Sequence, residues 1–478
     1  MNAGLHVALT PGPPHLSQLA TDRLALLLPA ARFDRQTDPA LPLLHVRPDV
    51  IVDPDALQSF VGTAFERGHA VRAAAKAADG TVIPGAATLW PPGSAREGPF
   101  HEVDQPIGVA AFEQPIDRPL DRGALTAFAP ALGVSGYATA SRNLLLGLRS
   151  LGVDAAWQAE WGDVAAEAVD PDEAARLLRL AKTGRPDDPV MLYRPATNAD
   201  GTAFFEIYRE RRTRAPVVAC TMFETDALPQ RWPSVLNTCE QVWVPSTFNR
   251  RTFAEHGVDA ERLRVVPIGL DMWSYDPDGE RGPLPERRTT AFLSAFEWSE
   301  RKGTDVLLRA WAHAFRPSDD VVLYLRTGTE SEHAETVLQD ALAATRLRRE
   351  DLAPIVLLHA ALSQAAYRAL IRSIDVFVLT SRGEGFCIPM LEAMALGKPV
   401  IGTVYGGSSD FLDEDTGFTI PSRLVPITRA FSQRLPLYRG QRWAAPAVDA
   451  TARALRAVID DAGDARRRAA RAFARAHE

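Results

Sequence analysis

The sequence predicts an α/β protein with two parallel β-sheets, each covered by helices on both faces. From about residue 122 onward, short apolar runs alternate with helical segments, which is typical of parallel sheets. The 478-residue chain is too long for one hydrophobic core. Residues 273–288 are rich in Asp, Pro, Gly and Arg and lack periodicity. We therefore predict a linker there, between two α/β domains.

Residues 1–120 precede this alternation and form an N-terminal extension of unknown role. The extension is rich in Pro, Ala and Asp. Its short apolar runs predict strands at residues 43–46 and 50–52, and residues 54–65 have a helical pattern. We interpret Arg47-Pro48-Asp49 as a structural turn, and no motif predicts chemistry here.

The first α/β domain, residues 121–272, opens with a predicted strand at 124–128 and a glycine-containing loop. A helix with Leu144, Leu145, Leu148 and Leu151 on one face follows the loop. Further apolar runs predict buried strands at 190–193, 217–221, 242–245 and 263–267. Gly136 lies in the loop, where a plain tight turn and a phosphate-facing loop are both open.

The second α/β domain, residues 289–446, opens with a predicted strand at 290–295. The next helix, residues 304–315, is expected to bury Leu307, Leu308, Trp311 and Phe315. Strands are predicted at 321–325, 355–358, 375–380 and 399–401. The tail, residues 447–478, is rich in Ala and Arg and has a helical pattern.

The strongest candidate site is the block of residues 381–392, Ser-Arg-Gly-Glu-Gly-Phe-Cys-Ile-Pro-Met-Leu-Glu. It lies between a buried strand and a helix that Pro389 can start. In a doubly wound sheet such a turn faces the crevice where ligands bind. Gly385 lets the backbone approach a ligand closely, and the helix start can receive a phosphate.

Two carboxylates lie in this block, eight positions apart. Glu384 in the loop can accept hydrogen bonds from sugar hydroxyls, and Glu392 in the helix can reach a ribose diol. The spacing alone is common by chance, so a loop Glu and a helix Glu without a ligand would be the default interpretation. The surrounding strand, glycines and helix favour a binding site.

A second candidate is the Arg301-Lys302 pair, again between a strand and an amphipathic helix. A departing diphosphate needs positive charge, which Arg supplies as a bidentate fork and Lys as a point charge. Such preorganised cations can stabilise the leaving group without a metal. Alone, the pair would be interpreted as solvated surface charge; beside the first block it predicts a diphosphate site.

Several other site classes are disfavoured. Neither a GxGxxG fingerprint nor a Walker A loop is present, which argues against NAD(P) and P-loop sites. The loop containing Gly407 has the same ambiguity as the one containing Gly136. The three cysteines have no CxxC spacing, so we expect no disulfide framework and no metal site.

Composition limits partners and location. The net charge of −7 argues against a nucleic-acid binder. We find no signal peptide and no apolar run of transmembrane length, so we expect a cytoplasmic protein. Peripheral contact with a membrane stays open.

Taken together, these motifs resemble glycosyltransferase family 4, the group 1 glycosyltransferases, over roughly residues 122–460. The most specific match is residues 375–417, and two shorter matches, 244–248 and 266–271, are similar to the family's pattern before its linker. The shorter match 244–248 contains Ser246, which we include among substrate-binding candidates. The resemblance implies a GT-B fold, two facing Rossmann-like domains with a cleft between them.

The resemblance also implies roles for individual residues. Glu384 would contact the donor sugar, with backbone groups of Gly385 and Phe386, while Glu392 would bind the nucleotide ribose. Arg301 with Lys302 would bind the diphosphate, and Gly136 would lie near the donor phosphates. The implied reaction is metal-independent, needs no cofactor and retains the anomeric configuration.

Two positions depart from the family pattern. Glu224 stands where many members carry a sugar-contacting histidine, and Phe296 stands where many carry an arginine. The predicted function is transfer of a hexosyl-type sugar from a nucleotide-diphosphate sugar to a polysaccharide, glycolipid or other glycoconjugate, in a bacterial pathway of polysaccharide synthesis. The alternatives are a non-catalytic sugar-nucleotide-binding subunit and a GT-B nucleotide-sugar epimerase.

Overall fold

The chain forms two compact units, residues 1–123 with 147–154 and residues 124–146 with 155–478. The structure, a computed structural model, gives only strand backbones for the first 123 residues. It then describes residues 124–133, 135–150, 153–159, 169, 171–181, 188–197, 215–327, 331–359 and 362–477.

The first unit contains a seven-stranded mixed sheet. Its strands are β1 His6–Leu9, β2 Arg32–Phe33, β3 Leu43–Val46, β4 Val50–Val52, β5 Val71–Lys76, β6 Val82–Trp90 and β7 His101–Ala110. Their order across the sheet is β2-β1-β3-β6-β5-β7-β4. The strands predicted at residues 43–46 and 50–52 are confirmed. The helix predicted for residues 54–65 and the Arg47-Pro48-Asp49 turn lie outside the described residues.

The second unit begins with a six-stranded sheet whose paired registers are parallel. Its strands are β8 Ala124–Ala129, β9 Asp154–Ala159, β10 Val190–Tyr193, β11 Val217–Cys220, β12 Gln241–Val244 and β13 Leu263–Val265. Its described helices are α1 Gly136–Ser150, α2 Pro171–Leu178, α3 Trp232–Leu236 and α4 Thr247–Glu255. The strand order β13-β12-β11-β10-β8-β9 reverses between β8 and β10. The loop leading to Gly136 therefore lies at a topological switch point.

A second six-stranded parallel sheet follows residue 289. Its strands are β14 Thr290–Ala295, β15 Val321–Arg326, β16 Ile355–Leu358, β17 Val376–Leu379, β18 Val400–Thr403 and β19 Phe418–Ile420. Its first four helices are α5 Thr304–Ala314, α6 Ser331–Thr345, α7 Gln364–Ser373 and α8 Ile388–Ala395. The strand order β16-β15-β14-β17-β18-β19 reverses between β14 and β17.

An antiparallel ribbon follows this second sheet. Strands β20 Ser422–Pro426 and β21 Arg442–Pro446 pair with each other, and α9 Arg429–Arg434 and a 3₁₀ turn, Pro436–Tyr438, lie between them. We call residues 422–446 the hairpin. Helices α10 Val448–Asp460 and α11 Ala462–His477 then pack on α5 and α8. These two helices agree with the pattern predicted for the tail.

Apolar burial agrees with the sequence pattern. The four side chains predicted to face inward from α5 are all buried, with Leu307, Leu308 and Trp311 completely enclosed and Phe315 2% exposed. Cys220, Cys239 and Cys387 are free thiols and are buried as well. Of the helices in the described residues, none combines the length and the apolar character needed to span a bilayer.

Candidate functional site

The candidate site lies at the switch point of the second sheet. The loop after β14 and the loop after β17 are neighbours there, because β14 and β17 pair in parallel and end at the same edge. The first loop carries Arg301 and Lys302, and the second carries Glu384. The two motifs singled out in the sequence therefore meet at the crevice where ligands of such sheets bind.

Glycines allow these loops to interlock. Gly303 has φ +66°, and a Cβ there would lie 2.0 Å from the Thr380 carbonyl oxygen. The Thr380 hydroxyl donates to the Gly303 carbonyl at 2.9 Å. A Cβ on Gly383 would lie 2.2 Å from the carbonyl oxygen of Glu224, which belongs to the loop after β11 of the first parallel sheet. Side chains at these two positions would push the loops apart.

Glu384 is the centre of the charged cluster. Its Oε1 accepts hydrogen bonds from Lys302 Nζ at 2.6 Å and from the Ser381 hydroxyl at 2.5 Å. Its Oε2 lies 3.4 Å from a terminal nitrogen of Arg301. The same Arg301 nitrogen donates to the Gly383 carbonyl at 2.6 Å. Glu384 is 8% exposed, so its carboxylate accepts hydrogen bonds from protein groups rather than from water.

Glu224 joins the cluster from the first parallel sheet. Its Oε1 lies 3.7 Å from Arg301 Nη2, and its Oε2 accepts a hydrogen bond from the Tyr438 hydroxyl at 2.9 Å. Tyr438 belongs to the hairpin and stacks on Phe223, with ring centroids 5.1 Å apart. Two carboxylates and two cations thus form a formally neutral cluster shared by three loops.

The electrostatics of the cluster keep Glu384 ionised. Burial by itself raises the pKa of its carboxyl, but the adjacent Lys302 and Arg301 charges outweigh burial and hold that pKa below its ordinary value. Burial likewise opposes the charge on Arg301, and Glu224 and Glu384 more than offset it, so the Arg301 pKa is raised. Glu384 is therefore an acceptor-only group at neutral pH.

Glu392 has a different environment. It is 3% exposed, and its Oε1 accepts a hydrogen bond from the Tyr275 hydroxyl at 2.6 Å. Burial raises the pKa of Glu392 to about 7, although Tyr275, Arg368 and Arg142 oppose that rise. Arg368 also lies over the Tyr275 ring, 5.6 Å from its centroid. This carboxyl changes protonation near neutral pH.

Besides Glu224, two predicted residues come from the first parallel sheet. Gly136 is the exposed first residue of α1, and a Cβ there would meet no atom within 4 Å. Ser246 is fully buried at the N-cap of α4. Its hydroxyl accepts from the Asn249 amide at 3.2 Å and donates to the Gly385 carbonyl at 2.9 Å, so it links the two sheets.

The remaining predicted residues lie in the second sheet, beside Glu384. Phe386 is buried and packs edge-on against Phe411, so only its backbone can face a ligand. Gly407 donates its amide to the Glu384 carbonyl at 2.7 Å. A Cβ at Gly407 would lie 2.0 Å from the Gly385 carbonyl oxygen. Gly407 thus packs against the backbone of the loop that carries Glu384 and stabilises it by this hydrogen bond.

Phe296 occupies the position where many members of family 4 carry an arginine. It is 7% exposed and packs edge-on against Trp298, with centroids 5.2 Å apart. Its side chain therefore adds no charge to the site. In the described residues, no three His, Cys, Asp or Glu side chains are grouped to hold a metal ion.

Four residues that contact or surround this site belong to none of the sequence motifs. They are Tyr438 on Glu224, Tyr275 on Glu392, and the neighbouring pair Arg326 and Tyr367, whose guanidinium-to-ring-centroid distance is 5.5 Å. Tyr275 falls inside the stretch predicted as a linker, and Tyr438 belongs to no motif. Arg326 is the last residue of β15 and Tyr367 lies in α7, so these two belong to regular elements.

The domain built on the second parallel sheet matches a known protein family. Residues 287–435 match the family model described as glycosyl transferases group 1. An MMP α-(1→4)-mannosyltransferase from Mycolicibacterium hassiacum is 28% identical over 247 residues, covering 50% of this chain and 53% of the relative. A GDP-mannose-dependent α-mannosyltransferase from Corynebacterium glutamicum is 24% identical over 220 residues, covering 43% and 49%. The chain spans about half the length of the curated relatives it matches.

Solved structures agree with the fold. A sucrose-phosphate synthase from Thermosynechococcus elongatus superposes with a TM-score of 0.51 at 15% identity, covering 74% of this chain and 94% of that one. A glycosyltransferase from Rickettsia africae gives the same TM-score and identity, covering 74% and 93%. The two Rossmann-like sheets of the chain thus form a GT-B fold. Residues 287–435, which carry Arg301, Lys302 and Glu384 of the charged cluster, are a group 1 glycosyltransferase domain.

Proposed function

We propose that this chain transfers a sugar from a nucleotide-diphosphate sugar to a carbohydrate or lipid-linked acceptor. The observation that carries the proposal is the placement of Glu384 between Lys302 and Arg301 at the switch point of the second sheet. An ionised acceptor for sugar hydroxyls and two cations for a diphosphate are the groups that such a donor requires.

The cations keep donors for phosphate oxygens. A guanidinium has five N–H donors and an ammonium three. Lys302 uses one donor on Glu384, and one terminal nitrogen of Arg301 contacts Gly383 and Glu384. The carboxylates therefore orient the two cations and leave some of their N–H donors available to a ligand.

Glu392 is proposed to bind the ribose diol, with the nucleotide between Tyr275 and Tyr367. The Tyr367 hydroxyl and Arg326 Nε are buried and have no hydrogen-bond partner among the described residues. Both groups interact electrostatically with Glu392. Unpaired buried polar atoms are costly, so a ligand that pairs them would gain affinity there.

The proposed reaction breaks the bond between the anomeric carbon and the diphosphate oxygen. An acceptor hydroxyl oxygen forms the new bond on the same face, and its proton passes to the departing diphosphate, so the anomeric configuration is retained. Arg301 and Lys302 would stabilise the developing charge without a metal. Glu384 and Glu224 would hold the donor sugar. The names of the two relatives, both mannosyltransferases, support a hexosyl donor.

Donor binding is tested by thermal shift. Uridine diphosphate, guanosine diphosphate, UDP-glucose and GDP-mannose are each added to the wild-type protein. A ligand at about 100 times its Kd stabilises the folded state by about 2.7 kcal/mol. Lys302→Ala should lose this stabilisation, whereas Arg309→Ala, an exposed cation on α5, should keep it. No stabilisation of the wild type by any of the four would contradict the proposed site.

Transfer is tested separately, by following donor consumption with added glycolipid and oligosaccharide acceptors. Glu384→Gln should reduce turnover by roughly 100-fold or more, since it removes a charged acceptor at the reacting sugar. NMR of the product should show the donor's anomeric configuration, and chelators should leave the rate unchanged. Donor binding without transfer would favour a non-catalytic subunit, and sugar inversion at another carbon would favour an epimerase.

A further inference from the structure

The hairpin carries a positive charge that contrasts with the rest of the chain. Its 25 residues include five arginines and no Asp or Glu, although the whole chain has a net charge of −7. The arginines are Arg423, Arg429, Arg434, Arg439 and Arg442, and all five are exposed. A cluster of one sign on one element creates a local potential that attracts an anionic partner.

The charge on the hairpin is largely unneutralised. Arg442 pairs with Asp226 at 2.7 Å, and Arg434 lies over the Phe431 ring. The side chains of Arg423, Arg429 and Arg439 make no ion pair or hydrogen bond with any residue that the structure describes. Internal neutralisation is therefore incomplete on this element.

The arginine-rich helix α11 provides a contrast. Arg468 donates to the Gly417 carbonyl at 2.9 Å, and Arg475 lies 3.8 Å from Asp413. Arg471 lies 4.0 Å from Asp415. Its basic side chains thus attach the helix to its own domain. The hairpin and α11 are both rich in arginine, but they differ in how many of these arginines contact other protein groups.

Strand pairing brings three of the hairpin arginines, Arg429, Arg439 and Arg442, to one end of the ribbon, whereas Arg423, opposite Ala445, lies on the other face. Arg442 lies opposite Pro426 in the ribbon, and the Ile427 amide donates to the Gln441 carbonyl at 3.0 Å. Arg429 and Arg439 each lie two residues from this hydrogen bond, so they flank the same end of the ribbon. These three basic groups are therefore close enough to act on a single extended anionic partner.

Two apolar side chains accompany these charges. Leu424 is 42% exposed and Leu435 is 40% exposed, and both belong to the hairpin. Basic side chains beside exposed leucines are typical of elements that lie in a membrane interface, where the leucines enter the acyl boundary and the cations contact anionic headgroups. A soluble polyanion would match only the charges.

We propose that the hairpin docks this chain on an anionic lipid bilayer. The Tyr438 hydroxyl on the same hairpin contacts Glu224, so docking would bring the bilayer surface near the charged cluster. That placement suits a lipid-linked acceptor. The docking itself does not rest on the proposed transfer reaction, because it uses none of the donor-site residues.

The test is co-sedimentation of the full chain with phosphatidylcholine vesicles, with and without phosphatidylglycerol. The wild type should bind only the anionic vesicles, and binding should fall with added salt. Each basic side chain near an anionic surface strengthens binding about fivefold, so Arg429→Ser/Arg439→Ser should weaken it by roughly 25-fold. The charge-matched control, Arg309→Ser/Arg453→Ser, removes exposed arginines elsewhere and should bind like the wild type.

A second variant separates a bilayer from a soluble polyanion. Leu424→Ser/Leu435→Ser keeps every charge, and it should weaken vesicle binding at least tenfold while leaving binding to soluble polyphosphate unchanged. Undiminished vesicle binding by either hairpin variant would overturn the proposal, as would equal binding to neutral vesicles. Thermal shifts with nucleotides should stay at the wild-type value in both variants, which separates this outcome from failure of the donor site.

Discussion

Two carboxylates from one short block acquire opposite properties in this protein. Glu384 lies between Lys302 and Arg301, and these charges hold its pKa below the ordinary value in spite of burial. Glu392, eight residues later, forms no such ion pair among the described residues, and burial raises its pKa to about 7. Environments that push two carboxyl pKa values apart are a feature of functional sites.

The raised pKa of Glu392 predicts a pH-dependent stability. The folded state keeps the proton on Glu392 up to about pH 7, whereas the unfolded chain releases it near the ordinary glutamate pKa of 4.5. Stability from this group is therefore complete below pH 4.5 and is lost as pH rises toward 7, by roughly 3 kcal/mol in total. Glu392→Gln should melt like the wild type near pH 4.5 and at a higher temperature near pH 8.

The same titration affects ligand binding. An ionised carboxylate accepts from both hydroxyls of a ribose diol, so GDP-mannose and UDP-glucose, whose diphosphate groups do not titrate near neutrality, should bind more tightly above the pKa of Glu392. Calorimetric titrations from about pH 6 to about pH 8 should show this rise in the wild type and a flat profile in Glu392→Gln. A rise of equal size in the variant would remove Glu392 from the binding site.

Tyr438→Phe tests the positioning of Glu224. The change removes the hydroxyl that donates to Glu224 at 2.9 Å and keeps the stack on Phe223. We expect a loss of about 1–2 kcal/mol in stability and a several-fold lower transfer rate, with diphosphate binding retained. Tyr405→Phe is the matched control, because the Tyr405 hydroxyl has no partner among the described residues. Equal rates in the two variants would exclude a positioning role for Tyr438.

At the residue scale, charge and spacing made part of the site predictable. Arg301, Lys302 and Glu384 stand beside glycines at strand ends, and strand ends of one sheet edge meet in space. Tyr438 and Tyr275 were not predictable, because each reaches the site from an irregular segment distant in sequence. A hydrogen bond between residues 117 apart, as in the Tyr275–Glu392 pair, leaves no local pattern.

At the scale of elements, glycine sets how closely the loops approach. A Cβ on Gly383 would lie 2.2 Å from the Glu224 carbonyl oxygen, a backbone atom that cannot rotate away. Gly383→Ala should therefore destabilise the protein by about 1–3 kcal/mol and lower nucleotide affinity, because the two loops must separate. Melting temperatures and thermal shifts with GDP-mannose measure both effects.

Gly136→Ala is the control for that substitution. A Cβ there meets no atom within 4 Å, and the residue begins α1, where Ala is favoured over Gly. Its stability should equal or exceed that of the wild type. If Gly136 faces the donor phosphates, as the family resemblance implies, its nucleotide affinity should nevertheless fall. A variant with wild-type affinity would remove Gly136 from the phosphate site.

Strands of branched and apolar residues were predictable, and others were not. Val190–Tyr193 and Val376–Leu379 are continuous apolar runs that a sheet covered on both faces requires. Strand β9, Asp154–Ala159, is rich in Ala, which has low strand propensity, so its sequence predicts no strand. The hairpin strands are stabilised by pairing with each other and by the buried Trp443, which no local pattern indicates.

At the scale of the whole molecule, hydrogen bonds join the two parallel sheets around the site. The Thr247 amide and hydroxyl both donate to Asp410, at 2.7 and 2.5 Å, and Arg442 contacts Asp226 at 2.7 Å. Ser246 adds its hydrogen bond to Gly385. Aromatic contacts, Tyr438 on Phe223 and Tyr405 on Phe248, add to these polar groups, so both kinds of contact join the two sheets.

Asp410→Asn should loosen this junction. It replaces a charged acceptor of two hydrogen bonds and should cost about 1–2 kcal/mol. Hydrogen exchange should quicken in residues 221–226 and 381–387 and stay unchanged in β14 and β17, because the sheets themselves remain intact. Asp319→Asn, which removes an ion pair to Arg456 inside the second domain, should leave the exchange of both loops unchanged. Faster exchange in the strands would show that the contact supports the core.

The buried cysteines have a practical consequence for measuring this motion. Cys220, Cys239 and Cys387 are enclosed, and burial raises the pKa values of the Cys220 and Cys387 thiols, so maleimide dyes should not label them. Cysteines introduced at the exposed positions Glu255 and Arg309 would then be the reactive pair. Fluorescence energy transfer between dyes on them would report the separation of the two Rossmann-like domains in an otherwise unaltered chain.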